Sequence, residues 1–396
     1  MLRFKAPPPL SLYVHFPWCV RKCPYCDFNS HALRDSVPEQ AYVDAVLEDL
    51  EQELPGVWGR TVHSIFMGGG TPSLFSAPAL ERLLSGIRAR LALHPDAEIT
   101  LEANPGSAEQ ERFAGYRDAG VNRLSIGIQS LNDSHLNALG RIHDAEQSFR
   151  AVRAARVAGF DNINLDLMFG LPDQDSAAAR ADLESALALQ PEHLSWYQLT
   201  LEPNTRFHAD PPVLPDEDEI GTMQTLGQTV FASHGYTQYE VSAFARAGQQ
   251  CRHNLNYWQF GDYIGIGAGA HGKISDAASG SVLRRWKKRH PRAYLEAAAP
   301  TAYLEGERAL SESEIVFEYA LNRLRLKEPF RLGEFERRCG LQRDWIVPLI
   351  QQAQADGLMI CDGDLVQHTG SGWLFLNDLL ERFLPEEVQN ARYRAN

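Results

Sequence analysis

Three cysteines near the start of the chain have the types and spacing for metal chemistry. Cys19, Cys23 and Cys26 form a CxxxCxxC pattern directly after the apolar stretch 10–16. A structural zinc site uses four protein ligands and disulfides use cysteines in pairs, whereas this segment supplies three thiols. A [4Fe–4S] cluster held by three thiolates leaves one iron free to bind a small molecule. The spacing favours such a cluster; a zinc site completed by a distant histidine and thiols in an ordinary turn are the alternatives.

The composition is typical of a globular protein with room for two structural units. The chain has 396 residues, of which 44% are hydrophobic and 22% charged. No stretch approaches the roughly 18 consecutive apolar residues of a membrane span, and the first ten residues lack the apolar core of a signal peptide. We therefore expect a cytoplasmic protein. In that reducing compartment the six cysteines are expected to be metal ligands or free thiols.

The charge balance argues against nucleic acid as a partner. The formal net charge is −13, whereas binding to phosphates requires a concentrated positive surface. One basic run is present, at 284–290 (RRWKKRH). Two interpretations of this run stay open: a solvated face of a linker, or a docking patch for carboxylates.

Short β-like segments alternate with helical patterns over the first half of the chain. The patterns predict strands at 12–15, 64–67, 98–102, 123–128, 163–168 and 193–199. They predict helices at 38–53, 77–91, 108–119, 145–158 and 176–189, with Gly120 and Gly159 at helix ends. This order indicates βα units around a parallel sheet, either as a partial (β/α) barrel or as an open doubly wound sheet.

Polar and glycine residues follow several of these strands at their carboxyl ends. They are the turn 68–72 (GGGTP), Glu102, Gln129 and Asp166, and the cysteine segment follows the first strand in the same way. Chemistry gathers at the carboxyl ends of parallel strands in both candidate architectures. All five features are therefore expected to face one mouth, although a lone carboxylate at a strand end is more often a surface charge or a helix cap.

The second half of the chain predicts further secondary structure and a smaller domain. A helix is expected at 216–234 and a strand at 236–241, and the glycine-dense segment 263–272 is interpreted as a loop that wraps the barrel. We expect a barrel unit over 1–270, a linker over 271–305 and a small helical domain over 306–396. In that domain a winged-helix-like order is predicted, with helices at 312–326, 332–339, 344–356 and 372–383 and a hairpin formed by 358–360 and 365–368.

Six motifs resemble one group of proteins, the oxygen-independent coproporphyrinogen III oxidase group of the radical S-adenosylmethionine (SAM) superfamily. The motifs are LYVHFPWC at 12–19, GGGTP at 68–72, EANP at 102–105, VNRLSIGIQ at 121–129, LGR at 139–141 and DLMFGLP at 166–172. The aromatic Tyr25 before the last cysteine also fits that superfamily. The likeness spans almost the whole chain and implies a partial (β/α)6 radical SAM barrel followed by the small C-terminal helical, winged-helix-like domain.

The resemblance also implies cofactors and the residues that bind them. Cys19, Cys23 and Cys26 would ligate a [4Fe–4S] cluster, whose open iron chelates the amino and carboxylate groups of SAM. Arg141 would pair with the SAM carboxylate, and Glu102 or Asp166 with its ammonium or ribose hydroxyls. The positions implied as SAM contacts are Tyr13, Gly69, Gly70, Thr71, Glu102, Gln129, Arg141, Asp166 and Thr200.

One departure from the oxidase pattern changes the implied function. The oxidases carry a further cysteine two residues after the third cluster cysteine, and here that residue is Phe28. The sequence CDFNS at 26–30, with HNLNYW at 253–258, is instead similar to the heme chaperone branch, whose members bind heme and pass it to acceptor proteins. His253 is the favoured heme contact, and the ordinary alternative is a buried histidine hydrogen-bonded beside aromatic residues.

The predicted function is therefore heme binding and delivery, with heme, a [4Fe–4S] cluster and SAM bound. Heme-acceptor proteins, among them membrane-bound cytochromes, are the implied partners, and a homodimer is a further candidate. The sequence leaves open whether SAM is cleaved and whether the chain is an enzyme. An oxidase that converts coproporphyrinogen III to protoporphyrinogen IX is the first alternative, against which Phe28 argues. A zinc protein with a winged-helix binding module is the second.

Overall fold

The computed structural model describes residues 2–297 and 302–385. Residues 386–396 of the predicted C-terminal domain lie outside the described residues. In chain order the strands are β1 Leu10–Phe16, β2 Trp18–Cys19, β3 His31–Ala32, β4 Thr61–Gly69, β5 Ala92–Ala103, β6 Arg123–Gln129, β7 Ile163–Phe169, β8 His193–Gln198, β9 Thr237–Glu240, β10 Ala243–Ala245, β11 Asp262–Ile266, β12 His271–Asp276, β13 Ser281–Lys287, β14 Leu304–Ala309, β15 Phe330–Arg331, β16 Met359–Asp362 and β17 Leu365–His368.

Helices cover much of the remaining chain. In the same order they are α1 Glu39–Val57, α2 Ala77–Arg90, α3 Ser107–Gln110, α4 Phe113–Ala119, α5 Asp133–Ala138, α6 Ala145–Val157, α7 Ser176–Ala188, α8 Arg206–Ala209, α9 Glu217–Ser233, α10 Arg252–Trp258, α11 Pro291–Leu295, α12 Glu312–Arg323, α13 Leu332–Cys339, α14 Val347–Ala355, α15 Gly370–Leu374 and α16 Leu376–Glu381. None of the described helices has the length and apolarity needed to cross a membrane.

The six predicted βα strands are confirmed and form one parallel sheet. β1, β4, β5, β6, β7 and β8 lie side by side in the order of the chain. A doubly wound sheet reverses its strand order at a switch point, whereas this order has no reversal. The partial-barrel prediction is therefore confirmed.

The helices between these strands begin and end where local chemistry favours it. Asp144 forms a capping box with Gln147 at the start of α6, and Asp216 caps α9. Gly120 takes a left-handed conformation (φ 103°) directly after α4, as its position at a helix end predicts. The predicted helix 108–119 is divided into α3 and α4. Successive helices pack against each other, α1 on α2 and α2 on α4, and so cover the outside of the sheet.

The predictions of a wrapping loop at 263–272 and of a linker at 271–305 are wrong, because both segments contribute strands to the main sheet. β11 lies parallel to β1, and β12, β13 and β14 extend the sheet beyond it as antiparallel strands. The glycines permit this close packing. A Cβ on Gly265 would lie 1.9 Å from the His271 carbonyl oxygen, and one on Gly267 (φ 98°) 2.4 Å from that of His15.

The basic run 284–290 is not a solvated linker face, because most of it lies on β13. Lys287 is buried, and its Nζ lies 2.6 Å from Asp49 Oδ1 and 2.5 Å from Glu53 Oε1. Arg285 pairs with Glu53 at 2.9 Å, and Arg284 pairs with Glu318. These contacts neutralise the centre of the run. Arg289, at its end, is exposed.

The smaller C-terminal unit has the predicted winged-helix-like order. Its helices α12, α13 and α14 pack around Tyr319, Phe335 and Ile350, and the predicted hairpin is formed by β16 and β17. The short strand β15 pairs with β17 and completes a three-stranded sheet. The predicted last helix, 372–383, is broken at Phe375 into α15 and α16.

Candidate functional site

The three cysteines of the CxxxCxxC pattern lie together on the wall of a cavity of about 470 Å³. β2 carries Cys19 and pairs with β3, and the Leu33 N–H donates to the Cys19 carbonyl at 2.9 Å, so the cysteine loop is closed at its base. The Cys26 N–H donates to the Cys23 carbonyl at 3.2 Å. All three thiols are free and partly exposed. The loop therefore presents three sulfurs to one space.

A cluster makes a particular demand on these thiols. Among the described residues, no group of three His, Cys, Asp or Glu side chains is placed to hold a metal ion. In a cubane each thiolate binds a different iron, so the sulfurs must surround a volume instead of a point. Burial raises the pKa of the thiols of Cys19 and Cys26, so ligation by a cation is needed to hold them as thiolates.

The glycine turn after β4 brings backbone against the cysteine loop. The Gly70 N–H donates to the Phe16 carbonyl at 2.6 Å, and the Thr71 N–H donates to that of Trp18 at 2.7 Å. A Cβ on Gly70 would lie 2.5 Å from the Trp18 carbonyl oxygen. Gly69 has φ 109°, and a Cβ there would lie 2.4 Å from the ring of His15. Both positions therefore require glycine.

Two half-buried carboxyl groups, those of Glu102 and Asp166, line the same cavity. Glu102 Oε2 accepts a hydrogen bond of 3.0 Å from the Gly69 N–H. Asp166 is bonded by Asn164 Nδ2 at 2.8 Å and by Ser125 Oγ at 3.2 Å. Burial, followed by the charge of Asp166, raises the pKa of Glu102 to about 8, and burial also raises that of Asp166. A cationic ligand would offset the cost of ionising these two carboxyl groups, because it would pair with their charged forms.

Gln129 and Arg141 add further polar groups to the wall of this cavity. Gln129 has φ 64° at an irregularity of β6, and its Oε1 accepts from Tyr197 Oη at 2.9 Å. Arg141 Nη2 donates to Asn104 Oδ1 at 2.8 Å and to the Gly127 carbonyl at 2.7 Å. Arg141 Nη1 lies 3.7 Å from Cys23 Sγ. Its buried Nε has no hydrogen-bond partner among the described residues.

The structure brings together nearly all of the residues implied as SAM contacts. Gly69, Gly70, Thr71, Glu102, Gln129, Arg141, Asp166 and Thr200 line the cluster cavity. Thr200 is exposed at its margin, where its hydroxyl donates to Glu202 at 2.8 Å. Tyr13 differs, since it lines the neighbouring cavity and bonds His15 Nδ1 at 3.0 Å.

A second and larger cavity, of about 870 Å³, adjoins the first. The two share Phe28, Gly69 and Glu102 on their walls, and Phe28 is 57% exposed at the junction. The wall of the larger cavity carries both aromatic and basic side chains. The aromatic side chains are Tyr13, Phe28, Tyr257, Trp258, Phe260, Tyr263 and Trp286; the basic ones are His15, His271, Lys273, Arg284 and Arg289; and the acidic ones are Glu102 and Glu305.

The prediction that His253 contacts heme is not supported by the structure. His253 is 1% exposed; its Nδ1 lies 3.0 Å from Ser64 Oγ and its Nε2 lies 3.0 Å from Tyr257 Oη. It borders a small interior cavity with Arg123 and lies behind Tyr257. The ordinary alternative, a buried histidine hydrogen-bonded beside aromatic residues, is what the structure has. Cys251 is likewise a buried thiol, 3.6 Å from Glu98.

Two residues on this wall were missed by the sequence analysis. His271 opens β12 and faces the larger cavity, and Asn29 donates from Nδ2 to the carbonyls of Ala268 at 3.0 Å and Arg289 at 2.9 Å. Asn29 lies within the quoted CDFNS motif and His271 within the glycine-dense segment. A polar residue between glycines was the available signal for His271.

Comparison with known proteins identifies the family. Residues 13–184 match the Radical SAM superfamily, which implies a [4Fe–4S] cluster and SAM, and residues 310–375 match the HemN C-terminal domain. The heme chaperone HemW of Escherichia coli K12 is 52% identical over 96% of this chain and 99% of its own length. HemW of Haemophilus influenzae Rd is 49% identical, with the same coverage of both chains.

The solved structure of coproporphyrinogen III oxidase (HemN) from Escherichia coli, described as a radical SAM enzyme, has a similar fold. It matches with a TM-score of 0.80 over 95% of this chain and 90% of the oxidase, at 24% identity. At that identity the likeness extends to the fold alone. The similarity to the chaperones is closer and covers both chains nearly end to end, so the chain belongs to the HemW family of radical SAM proteins.

Proposed function

We propose that this protein is a heme chaperone that binds heme in the larger cavity and passes it to acceptor proteins. The names of its relatives support this role. The observation that carries it is the wall of the larger cavity, where aromatic side chains stand beside basic ones and Arg289 makes no ion pair with a described residue. Heme is a flat apolar ring with two carboxylates, and its recognition needs both kinds of surface. The cavity also opens beside the cysteine loop.

We propose that Cys19, Cys23 and Cys26 hold a [4Fe–4S] cluster within the smaller cavity. The fit is supported by three free thiols around one space and by Arg141 beside Cys23. When bound, such a cluster supplies an iron that can take SAM and an electron that can cleave it. The protein's own part is to close the loop through β2 and β3 and to keep the thiols on the cavity wall.

The polar wall of the smaller cavity is proposed as the SAM site. The Arg141 guanidinium is the partner for the SAM carboxylate, and Gln129 offers amide hydrogen bonds. Gly69 and Gly70 let backbone approach the amino-acid portion of the ligand. Glu102 and Asp166 accept hydrogen bonds from its amino group or ribose. Thr71 and Thr200 border the same site, and Tyr13 supports it from the neighbouring cavity.

SAM affinity is expected to rise with pH because of Glu102. With a pKa of about 8, this carboxyl is mostly protonated at pH 7, whereas acceptance of ligand hydrogen bonds requires the ionised form. Below pH 8 the ionised fraction of Glu102, and with it the contribution of this carboxylate to SAM affinity, should fall by about tenfold per pH unit. Calorimetric titration of cluster-loaded protein with SAM from pH 6 to pH 9, without oxygen, measures this dependence.

Glu102→Gln is the matched control, because it keeps the size and polarity of the side chain and removes its titration. SAM itself titrates in this range, so the informative quantity is the ratio of wild-type to variant affinity at each pH. A ratio that rises with pH supports the assignment. A constant ratio would exclude the carboxylate of Glu102 from the site.

Heme delivery can be separated from porphyrinogen oxidation in two anaerobic assays of one preparation. We expect the protein to bind heme and transfer it to an apo-cytochrome, followed by the absorbance of the acceptor. With SAM, a reductant and coproporphyrinogen III, we expect no protoporphyrinogen IX, since Phe28 stands at the oxidase's cysteine position. Robust oxidation without heme transfer would overturn the chaperone function. Transfer assays against several cytochromes, membrane-bound ones included, then identify the acceptor.

A further inference from the structure

We propose that His271 ligates the iron of bound heme and that Arg289 pairs with a heme propionate. The inference rests on the proposed heme-binding function. It concerns the larger cavity alone and places the macrocycle against β12 and β13, beside the cysteine loop. Among the metal-ligating and cationic groups on the described wall of this cavity, these two side chains still lack a partner.

His15 and His271 are the histidines on the described wall of this cavity, and only one of them is available as a ligand. His15 is 5% exposed. Its Nδ1 is bonded to Tyr13 Oη at 3.0 Å and its Nε2 to the Asn29 carbonyl at 2.8 Å. One ring nitrogen must donate to that carbonyl, so the single lone pair of the neutral ring is used by Tyr13. His15 therefore has no lone pair left for iron.

The imidazole of His271 is in a different position. It is exposed to the cavity, and no hydrogen bond engages its ring within residues 2–297 and 302–385. Partial burial, followed by the positive charges of Arg284 and Arg289, lowers its pKa below the ordinary value. The ring is therefore neutral at neutral pH, the form in which histidine binds metal.

Other candidate ligands on the wall are occupied. Tyr257 Oη is bonded to His253, and Tyr263 Oη accepts from Arg284. Burial raises the pKa of both phenols, which disfavours the phenolate that binds ferric iron. Cys251 is 1% exposed and is not part of the wall. These contacts leave His271 as the available ligand.

Of the lysine and arginine side chains on the wall, two already have acidic partners. Lys273 is buried, with its Nζ 2.9 Å from Asp262. Arg284 donates to Glu318 at 3.0 Å and also to Tyr263. Arg289 is exposed, lines the cavity and makes no ion pair with a described residue. It is the cation free to meet a carboxylate of the ligand.

The strand register adds a surface for the ring. His271 pairs directly with Trp286 across β12 and β13, and both side chains line the cavity. Directly paired residues project to the same face of a sheet. A macrocycle ligated by His271 therefore lies beside the indole of Trp286, and its propionates can reach Arg289 at the end of the same strand pair.

The test is an anaerobic titration of the full-length, cluster-loaded protein with heme, followed by the Soret band and by the EPR signal of the ferric form. His271→Ala is expected to bind heme at least about tenfold more weakly, with a changed Soret band and EPR spectrum. Added imidazole should restore both spectra by filling the vacated space. Arg289→Ala is expected to weaken binding about threefold with unchanged spectra, because an exposed ion pair contributes little.

His63→Ala is the matched control, since His63 is an exposed histidine on β4 outside the cavity. It should bind heme as the wild type does. Cluster content and circular dichroism show whether each variant is folded, and His271→Gln, which keeps a polar side chain, replaces the alanine variant if that one is unstable. If wild-type spectra and affinity persist in the His271 variants, the ligand assignment is wrong and the chaperone function stands. If the wild type binds no heme, the proposed function itself fails.

Discussion

Replacing Cys19, Cys23 or Cys26 singly with alanine is expected to remove the iron–sulfur cluster completely. Each thiolate in a three-cysteine site holds a different iron, and no other cysteine is near enough to substitute. Cys251 and Cys339 are buried elsewhere. Iron and acid-labile sulfide in anaerobically reconstituted protein should fall to background, with loss of the brown colour and of the EPR signal of the reduced cluster.

Cys361→Ala is the matched control for these variants. Cys361 is a free, partly exposed thiol on β16 of the C-terminal unit, and its Sγ lies 3.8 Å from the Gly363 carbonyl. This variant should keep the full cluster. A wild-type protein that carries one zinc and no sulfide would instead establish the zinc alternative. A cluster that persists in Cys23→Ala would show that the proposed ligand set is wrong.

The second large effect is expected for Lys287→Met, which removes a cation buried between two acids. Burial lowers the pKa of Lys287, but Asp49 and Glu53 raise it by more, so the ammonium is charged at neutral pH. Its removal leaves buried Asp49 without an ion-pair partner and leaves Glu53 with Arg285 alone. Breaking a buried pair in this way costs about 3–5 kcal/mol of the free energy of unfolding. Chemical denaturation of the full-length chain measures the loss.

Arg292→Met is the control, because Arg292 also pairs with one acid, Glu296, but at the surface. The two side chains are 80% and 61% exposed. An exposed pair of this kind contributes little to stability, because solvent screens it. Similar losses in the two variants would contradict the structural role given to Lys287. A basic side chain in a solvated linker, as one interpretation of the run 284–290 had it, would give no such difference.

The sequence could predict the part of the site that depends on local order. Parallel strands align their carboxyl ends, so residues that follow successive strands meet whatever the details of packing. Glu102, Gln129 and Asp166 were placed on one wall by that rule alone. The structure confirms that they line the same cavity as the cysteines. The roles of these residues as ligands stay predictions.

The features of the fold and the site that the sequence did not predict depend on contacts between segments that are far apart in the chain. Gly267 and Gly269 predicted a loop, yet their lack of a side chain serves close packing against His15 and Asn29, more than two hundred residues earlier in the chain. The sequence could not show which of His253 and His271 is accessible to a ligand. The fold buries the first and exposes the second, and the residues next to each in the sequence do not show this. Burial of this kind cannot be read from neighbouring residues.

The amide of Asn29 has a consequence for how the protein responds to air. Three residues after Cys26, it holds both the turn before His271, through Ala268, and the backbone of Arg289. Oxidative destruction of the iron–sulfur group would free the cysteine loop and loosen both of these anchors together. If heme occupies the larger cavity as proposed, its retention would depend on an intact cluster, and exposure to oxygen would promote its release.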